Sequence, residues 1–193
     1  MSGGSDGNVW GAKSIAPYEK IFGQDLNLDG SIGLDISKLI KVDSDTFGAG
    51  LRRDADHGLY IIEGTGTEAS ATPVGSGWLE YNNSWGTSNY NKREAVAVER
   101  ITDSAGTLTG YKLAMKSTNK WDNNAEQITW DILQLDTEGK MVYGRMDSKT
   151  NQWVDPSVWG AKSVASYEDV FGQDLNGDGS IGIDISTLTK VAT

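Results

Sequence analysis

The chain of 193 residues has no cysteine, a single histidine, three prolines, and only 17 Lys and Arg against 27 Asp and Glu. Without cysteine there is no disulfide framework, thiol nucleophile, zinc knuckle or redox pair. The formal net charge is −10 and the pI about 4.5. Phosphate backbones are held by concentrated Lys and Arg, so nucleic acid is not an expected partner. No apolar run approaches the ~18–20 residues of a spanning helix, so no membrane insertion is expected. The one histidine lies in Arg52-Arg53-Asp54-Ala55-Asp56-His57. A Ser-His-Asp hydrolase is formally possible, but no G-x-S-x-G-type nucleophile elbow accompanies it, and a loop histidine among charges reads as solvated. Gly64-Thr65-Gly66-Thr67 lacks the Lys and the following helix of a phosphate-cradling loop. These absences together favour a non-enzymatic module; the enzyme alternative is a glycan hydrolase, whose paired carboxylates are spaced in three dimensions and leave no mark in sequence.

What the chain does contain is a repeat. Residues 9–42 and 158–191 align without gaps and differ at 8 of 34 positions, with an offset of 158 − 9 = 149. Several of the differences are Ile/Val or Leu/Ile exchanges. A long repeat with nothing of shorter period between its copies reads as a tandem array. Residues 1–8 (Met1-Ser2-Gly3-Gly4-Ser5-Asp6-Gly7-Asn8) read as a tag or linker. Residues 9–42 are then the tail of a preceding unit, and 43–193 a complete unit ending in a second tail. Neighbouring repeats are the expected partners, and the isolated chain is expected to be a monomer. A chain of this size can bury a core without cross-links, since ~150 residues already bury about two-thirds of their unfolded surface.

The middle section predicts antiparallel β-structure. Gly58–Glu63, Arg93–Ile101, Tyr111–Ser117, Ile128–Asp136 and Met141–Met146 are rich in β-branched and aromatic residues. Tyr111, Leu113 and Met115 alternate with Lys112, Ala114 and Lys116, the period-two pattern of a half-buried strand. Turn-formers at Asp103–Gly106, Asp122–Asn124 and Asp136–Gly139 separate the runs too closely for parallel crossovers. The expected fold is mainly β, a meander or sandwich, with a short helix and a loop in each tail. That helix spans Ser14–Phe22, capped by Ser14, with Tyr18, Ile21 and Phe22 on one face, and Gly23 ends it. Nine residues make no stable helix alone, so its aromatics should pack on the sheet.

After each helix comes a loop of one pattern, Asp25-Leu26-Asn27-Leu28-Asp29-Gly30-Ser31-Ile32 and Asp174-Leu175-Asn176-Gly177-Asp178-Gly179-Ser180-Ile181. D-x-N-x-D-G-x-I is the first two-thirds of an EF-hand loop. Oxygens at positions 1, 3 and 5 converge on one ion, glycine at 6 permits the turn, and position 7 adds another oxygen. Calcium takes 6–8 oxygens, whereas magnesium keeps its waters, so Ca²⁺ is the expected ion. The candidate ligands are Asp25, Asn27, Asp29 and Ser31, with Asp174, Asn176, Asp178 and Ser180 in the second copy. The bidentate Glu of position 12 is missing, replaced by Ile36 and Ile185, and the nearest acids are Asp35 and Asp184 at position 11. If Ile32, Leu34 and Ile36 mark an exiting strand, Asp35 lies ~13 Å beyond Ser31. It reaches the ion only if the chain bends near Gly33; Glu19 and Glu168 in the helices, or water, are the alternatives. Two bound Ca²⁺ would take the net charge from −10 to −6.

The stretch W-x-K-S-x-x-x-Y-E-x-x-F-G-x-D-L-N-x-D-G-x-I-G resembles the tryptophan-rich domain of very large secreted bacterial surface proteins, including calcium-dependent adhesins of the repeats-in-toxin type. A weaker likeness extends through residues 78–159, at Ser84-Trp85-Gly86, Arg93–Glu99 and Leu113–Lys116. The resemblance implies a secreted or cell-surface module, often repeated, whose calcium is structural and whose role is cell adhesion or spacing, as in biofilm adhesins. Only the loop Asp, Asn and Asp positions carry over residue by residue.

Six of the seven tryptophans fall in the complete unit. Trp78, Tyr81, Trp85 and Tyr90 are interleaved with Asn82, Asn83, Asn89 and Asn91. Rings that stack on sugar C–H faces beside amides that read hydroxyls make a carbohydrate-binding surface, the alternative function. The structural reading is that these aromatics pin loops to a small sheet.

Overall fold

The computed structural model describes residues 15–43, 49–54, 58–64, 70–75, 79–85 and 88–184, the side chain of Pro17 excepted. Ser14, His57 and Trp78 therefore lie outside the described residues. The protein is mainly β, as its alternation predicts, and both principal sheets are antiparallel. The smaller sheet is a meander of β1 (Ile40–Lys41), β2 (Gly50–Arg53), β3 (Leu59–Glu63) and β4 (Ser70–Pro73), in the order 1-2-3-4. The larger contains β5 (Tyr81–Trp85), β6 (Asn89–Thr102), β7 (Leu108–Lys120), β8 (Gln127–Leu135) and β11 (Val158–Ala161), in the order 11-8-7-6-5. A ribbon of β9 (Arg145–Met146) and β10 (Trp153–Val154) lies between β8 and β11 in sequence.

The hairpins form where the turn chemistry puts them. Asp103 closes the β6–β7 turn by accepting from the Gly106 amide at 3.0 Å, while its carboxylate takes the Ala105 and Thr107 amides. Asp136 does the same for Gly139, Glu138 and Lys140 after β8. Both are Asx turns, in which a short acidic side chain supplies the acceptor that the reversing backbone lacks. The expected strand at Met141–Met146 is reduced to a single bridge between Met141 and Leu135 and the two residues of β9. After Val142 donates to the Gln134 carbonyl the chain leaves β8, and Gly144 lies under the Trp153 indole.

The main core lies between the two sheets. Leu51, Leu59 and Ile61 of the smaller sheet meet Ala95, Val98, Leu113, Met115, Leu133 and Leu135 of the larger. A bulge in β6 makes this packing possible. Ala95 pairs with Met115 but Ala97 pairs with Ala114, so Val96 is the extra residue. Ala95 and Val98 then both face the sandwich, while Ala97 turns to the opposite side, an arrangement that strict alternation would forbid.

Each outer face of the sandwich is covered by one of the repeated tails. On the outside of the larger sheet, Ala97, Ala114, Trp130 and Ile132 pack against Val164 and Phe171 of α2 (Ala165–Phe171). On the outside of the smaller sheet, Tyr60 and Ile62 pack against Leu39, with Leu34 and Ile36 alongside. These last three residues belong to the first tail, after α1 (Ala16–Phe22), where Ile36–Lys38 forms a 3₁₀ turn. The expected strand through Ile32, Leu34 and Ile36 does not form. Gly33 has φ +90°, and Asp35 caps the turn by accepting from the Ser37 amide at 3.0 Å, so the chain curls instead of extending. Helix starts also differ from expectation. Both begin two residues after the serine, and neither Ile15 nor Val164 makes a side-chain cap bond. Both end as expected on glycine in the left-handed region, Gly23 at φ +63° and Gly172 at +61°.

Candidate metal centre

Each loop is organised around a buried glutamate from the preceding helix. Glu19 and Glu168 have no solvent exposure. Glu19 Oε1 accepts from the Leu26 and Asn27 amides at 2.8 and 3.0 Å, and Oε2 accepts from Gly33 at 2.9 Å. Glu168 repeats this with Leu175 and Asn176 at 3.0 Å each and Gly182 at 3.1 Å. A buried carboxylate is tolerated only when its oxygens are satisfied, and here three main-chain N–H groups do so. These glutamates face the loop backbone and fix where the loop begins and where it bends.

The bend depends on glycine. Gly33 and Gly182 have φ of +90° and +84°, and a Cβ on Gly33 would lie 2.6 Å from Lys20 Cε. Within the loop the carboxylates and the amide point inward onto the backbone. Asp25 accepts from Asp29 at 3.2 Å and from Gly30 at 2.9 Å. The Asn27 Oδ1 accepts from Asp29 at 3.0 Å, and Asp29 from Ser31 at 2.8 Å. The second loop has the same set: Asp174 takes Asp178 and Gly179, Asn176 takes Asp178, and Asp178 takes Ser180. Asp174 also takes Gly177 at 2.7 Å. A carboxylate offers about four lone-pair sites, so the two N–H groups on Asp25 and the three on Asp174 leave lone pairs over for a cation.

Bending brings position 11 back to the loop. Asn27, Asp29 and Asp35 line one cavity of about 160 Å³, together with Lys38 and Asp54. In the second copy Asn176, Asp178, Ser180 and Asp184 line a cavity of about 450 Å³. The candidates Asp35 and Asp184 thus join their loops, whereas Glu19 and Glu168 line neither cavity. The Ser37 hydroxyl, at 2.6 Å, holds the Asp35 carboxyl below its usual range against the opposing effect of burial, with the Ser37 amide and Lys38 assisting.

One observation bears on whether a cation fits. The Lys38 ammonium donates to the Asp29 carbonyl at 3.1 Å and to Ser31 Oγ at 3.0 Å, and lies 3.6 Å from Asp35 Oδ2. Oxygens of positions 5, 7 and 11 therefore already converge on a positive charge. All are hard donors of the kind calcium takes. Among the described residues, no three His, Asp or Glu side chains form a metal centre by themselves. The loop donors are instead a mixture of carboxylate, amide, hydroxyl and main-chain oxygens.

The two loops are not equivalent. Leu28 sits at φ +61°, a conformation costly for a residue with a Cβ, where the second copy has Gly177 at +78°. Lys38 is replaced in the second copy by Thr187, outside the described residues, and Lys20 by Asp169. By sequence the second tail is thus three charge units more negative than the first.

The aromatic candidates divide between faces. Tyr81 pairs with Arg93 and Trp85 with Asn89, which puts Tyr81, Asn83 and Trp85 on one side of the edge strand β5. Tyr90 pairs with Ser84 and projects to the other side, where its hydroxyl bonds to Glu126, so it does not join them. Trp121, which nothing in the spacing marks, does. Its ring stacks on Trp85 with centroids 5.4 Å apart and planes 16° apart, and both rings are half exposed. The turn after β7 delivers it, 36 residues further along the chain. The chain matches no protein-family model, no curated protein and no solved structure.

Proposed function

We propose that this protein is a calcium-binding, calcium-stabilised repeat module of a secreted bacterial adhesin or cell-surface protein, serving adhesion or spacing and carrying out no catalysis. The observation that carries the reading is the pair of loops. Two copies of one sequence pattern fold onto the same glutamate-centred hydrogen-bond frame, and in one of them the oxygens already surround an ammonium group. Asp25, Asn27, Asp29, Ser31 and Asp35 would hold one ion, and Asp174, Asn176, Asp178, Ser180 and Asp184 the other. The acidity, the missing cysteine and the resemblance to tryptophan-rich surface domains support the same reading. Calcium would link the oxygens after export, where it is abundant, and so stiffen each tail against the sheet that it covers. Calcium titration by calorimetry tests this: two ions per chain are expected, and one after Asp174→Ala with Asp178→Ala. Zero stoichiometry in the parent chain would overturn it.

A second reading, carbohydrate binding, is favoured by the stacked and half-exposed Trp85 and Trp121 beside Asn83 and Asn89. Such rings offer their outer faces to a sugar. Titrating glycans against Trp fluorescence, with Trp85→Ala as the control, separates it from the first; no quenching by any glycan in an array would remove it.

A further inference from the structure

The same tail meets different surroundings in its two copies. In the C-terminal copy, Phe171 is 1% exposed and packs with Leu175 and Tyr167 on the outer face of the larger sheet. Its N-terminal equivalent Phe22 is 61% exposed, and Leu26, the counterpart of Leu175, is 43% exposed. After the loop the relation reverses. Leu34 packs against Tyr60 and Ile62 on the outer face of the smaller sheet, while its counterpart Ile183 is 55% exposed. Among the described residues, the first copy therefore bares Phe22 and Leu26 where the second buries their counterparts, and the second bares Ile183 where the first packs Leu34.

We infer that each tail is a two-sided clip between consecutive repeats. Its helix docks on the larger sheet of its own unit, and its post-loop segment docks on the smaller sheet of the next unit. The occupant expected over Phe22 and Leu26 is the larger sheet of a preceding repeat, presenting the equivalents of Ala97, Ala114, Trp130 and Ile132. A free second copy of this chain does not fit, because its own α2 already covers that face. The tail's loop lies between the two docking halves, so it sets the relation of one unit to the next. The inference rests on the tandem-repeat reading and is independent of whether the loops take calcium.

The test places residues 43–157 ahead of Val9 in the full chain and compares Phe22→Ala with Phe171→Ala in both lengths, at one fixed calcium concentration. In the 193-residue chain Phe171→Ala should lower the melting midpoint by roughly 10 °C and Phe22→Ala by about 1 °C or less. In the extended chain the two losses should become alike. Fluorine NMR gives a second readout, because the 193-residue chain has only three phenylalanines, Phe22, Phe47 and Phe171. The Phe22 signal should lie near the free amino acid in the chain as it stands, and move toward that of Phe171 on extension. Equal losses for the two substitutions in the 193-residue chain would overturn the inference, since α1 would then already have its partner. A Phe22 that stays solvent-like and dispensable in the extended chain would overturn it as well. Neither result would touch the calcium stoichiometry, which is read separately.

Discussion

Replacing Glu168 by glutamine isolates the clasp that holds the second loop. The side chain is fully buried, and its two oxygens serve three amides at 3.0, 3.0 and 3.1 Å. Glutamine keeps one oxygen, which can remain with Leu175 and Asn176. Its other terminus becomes an NH₂ group facing the Gly182 N–H, so a bond to a charged acceptor is exchanged for two opposed donors. Loss of such a bond costs about 1.5–3 kcal/mol. In a chain of this length each kcal/mol moves the midpoint by ~2–4 °C, so the expected drop is roughly 4–10 °C. Because α2 also carries Phe171 into the second core, the loss should be felt in the cooperative transition. Melting followed by circular dichroism, in EGTA so that no ion contributes, reads it. Glu138→Gln, at an exposed pair with Lys140, is the control and should shift the midpoint by less than about 1 °C. If Glu168→Gln melts with the parent, or the control loses as much, the clasp does not hold the loop.

Leu28→Gly should raise the midpoint by about 1–4 °C in EGTA, because it relieves a left-handed leucine at 86% exposure that makes little packing contact. Gly177→Leu should lower it, and calorimetry checks both. Lys38→Thr should tighten calcium binding at the first loop about tenfold at low salt, by removing a like charge ~4 Å from the ion; an unchanged titration would mean that the ammonium does not compete. In alkali, the buried Tyr111 phenol is pushed above its usual value of 10.0, first by burial and then by Glu63. A folded-state value above the unfolded one means that this contribution to stability is full below pH ~10 and lost as the pH rises through the folded value. Tyrosinate absorbance should therefore include a phenol that ionises only with unfolding, and Tyr111→Phe should lower that late-ionising amplitude by one phenol.

The β character was legible because Tyr111, Leu113 and Met115 alternate and because Asp103 and Asp136 announce their turns. The bulge at Val96 was not, since Ala-Val-Ala-Val reads as plain alternation whether or not an extra residue is inserted. β5 was read only as an aromatic, Asn-rich stretch, because an exposed edge strand carries no apolar periodicity. The candidate ligands at positions 1, 3 and 5 follow from spacing alone, but the return of Asp35 depends on the φ of Gly33, which spacing cannot specify. The structural role of Glu19 was open in the sequence for a related reason. A glutamate on a helix can serve an ion or a backbone, and burial against three amides is a property of the folded loop. Likewise, the aromatics of α1 and α2 read alike, but only Phe171 has a sheet to pack on. Trp121 joins Trp85 through hairpin geometry, beyond the reach of local pattern.

The central claim is that calcium holds the tails in place, and thermal melting with and without the ion tests it most directly. A site at 100-fold saturation adds ~2.7 kcal/mol, and two sites about twice that. In excess calcium the midpoint should therefore rise by roughly 10–20 °C over EGTA, and Asp174→Ala with Asp178→Ala should remove about half of the rise. Superimposable melting curves in excess calcium and in EGTA would contradict the account.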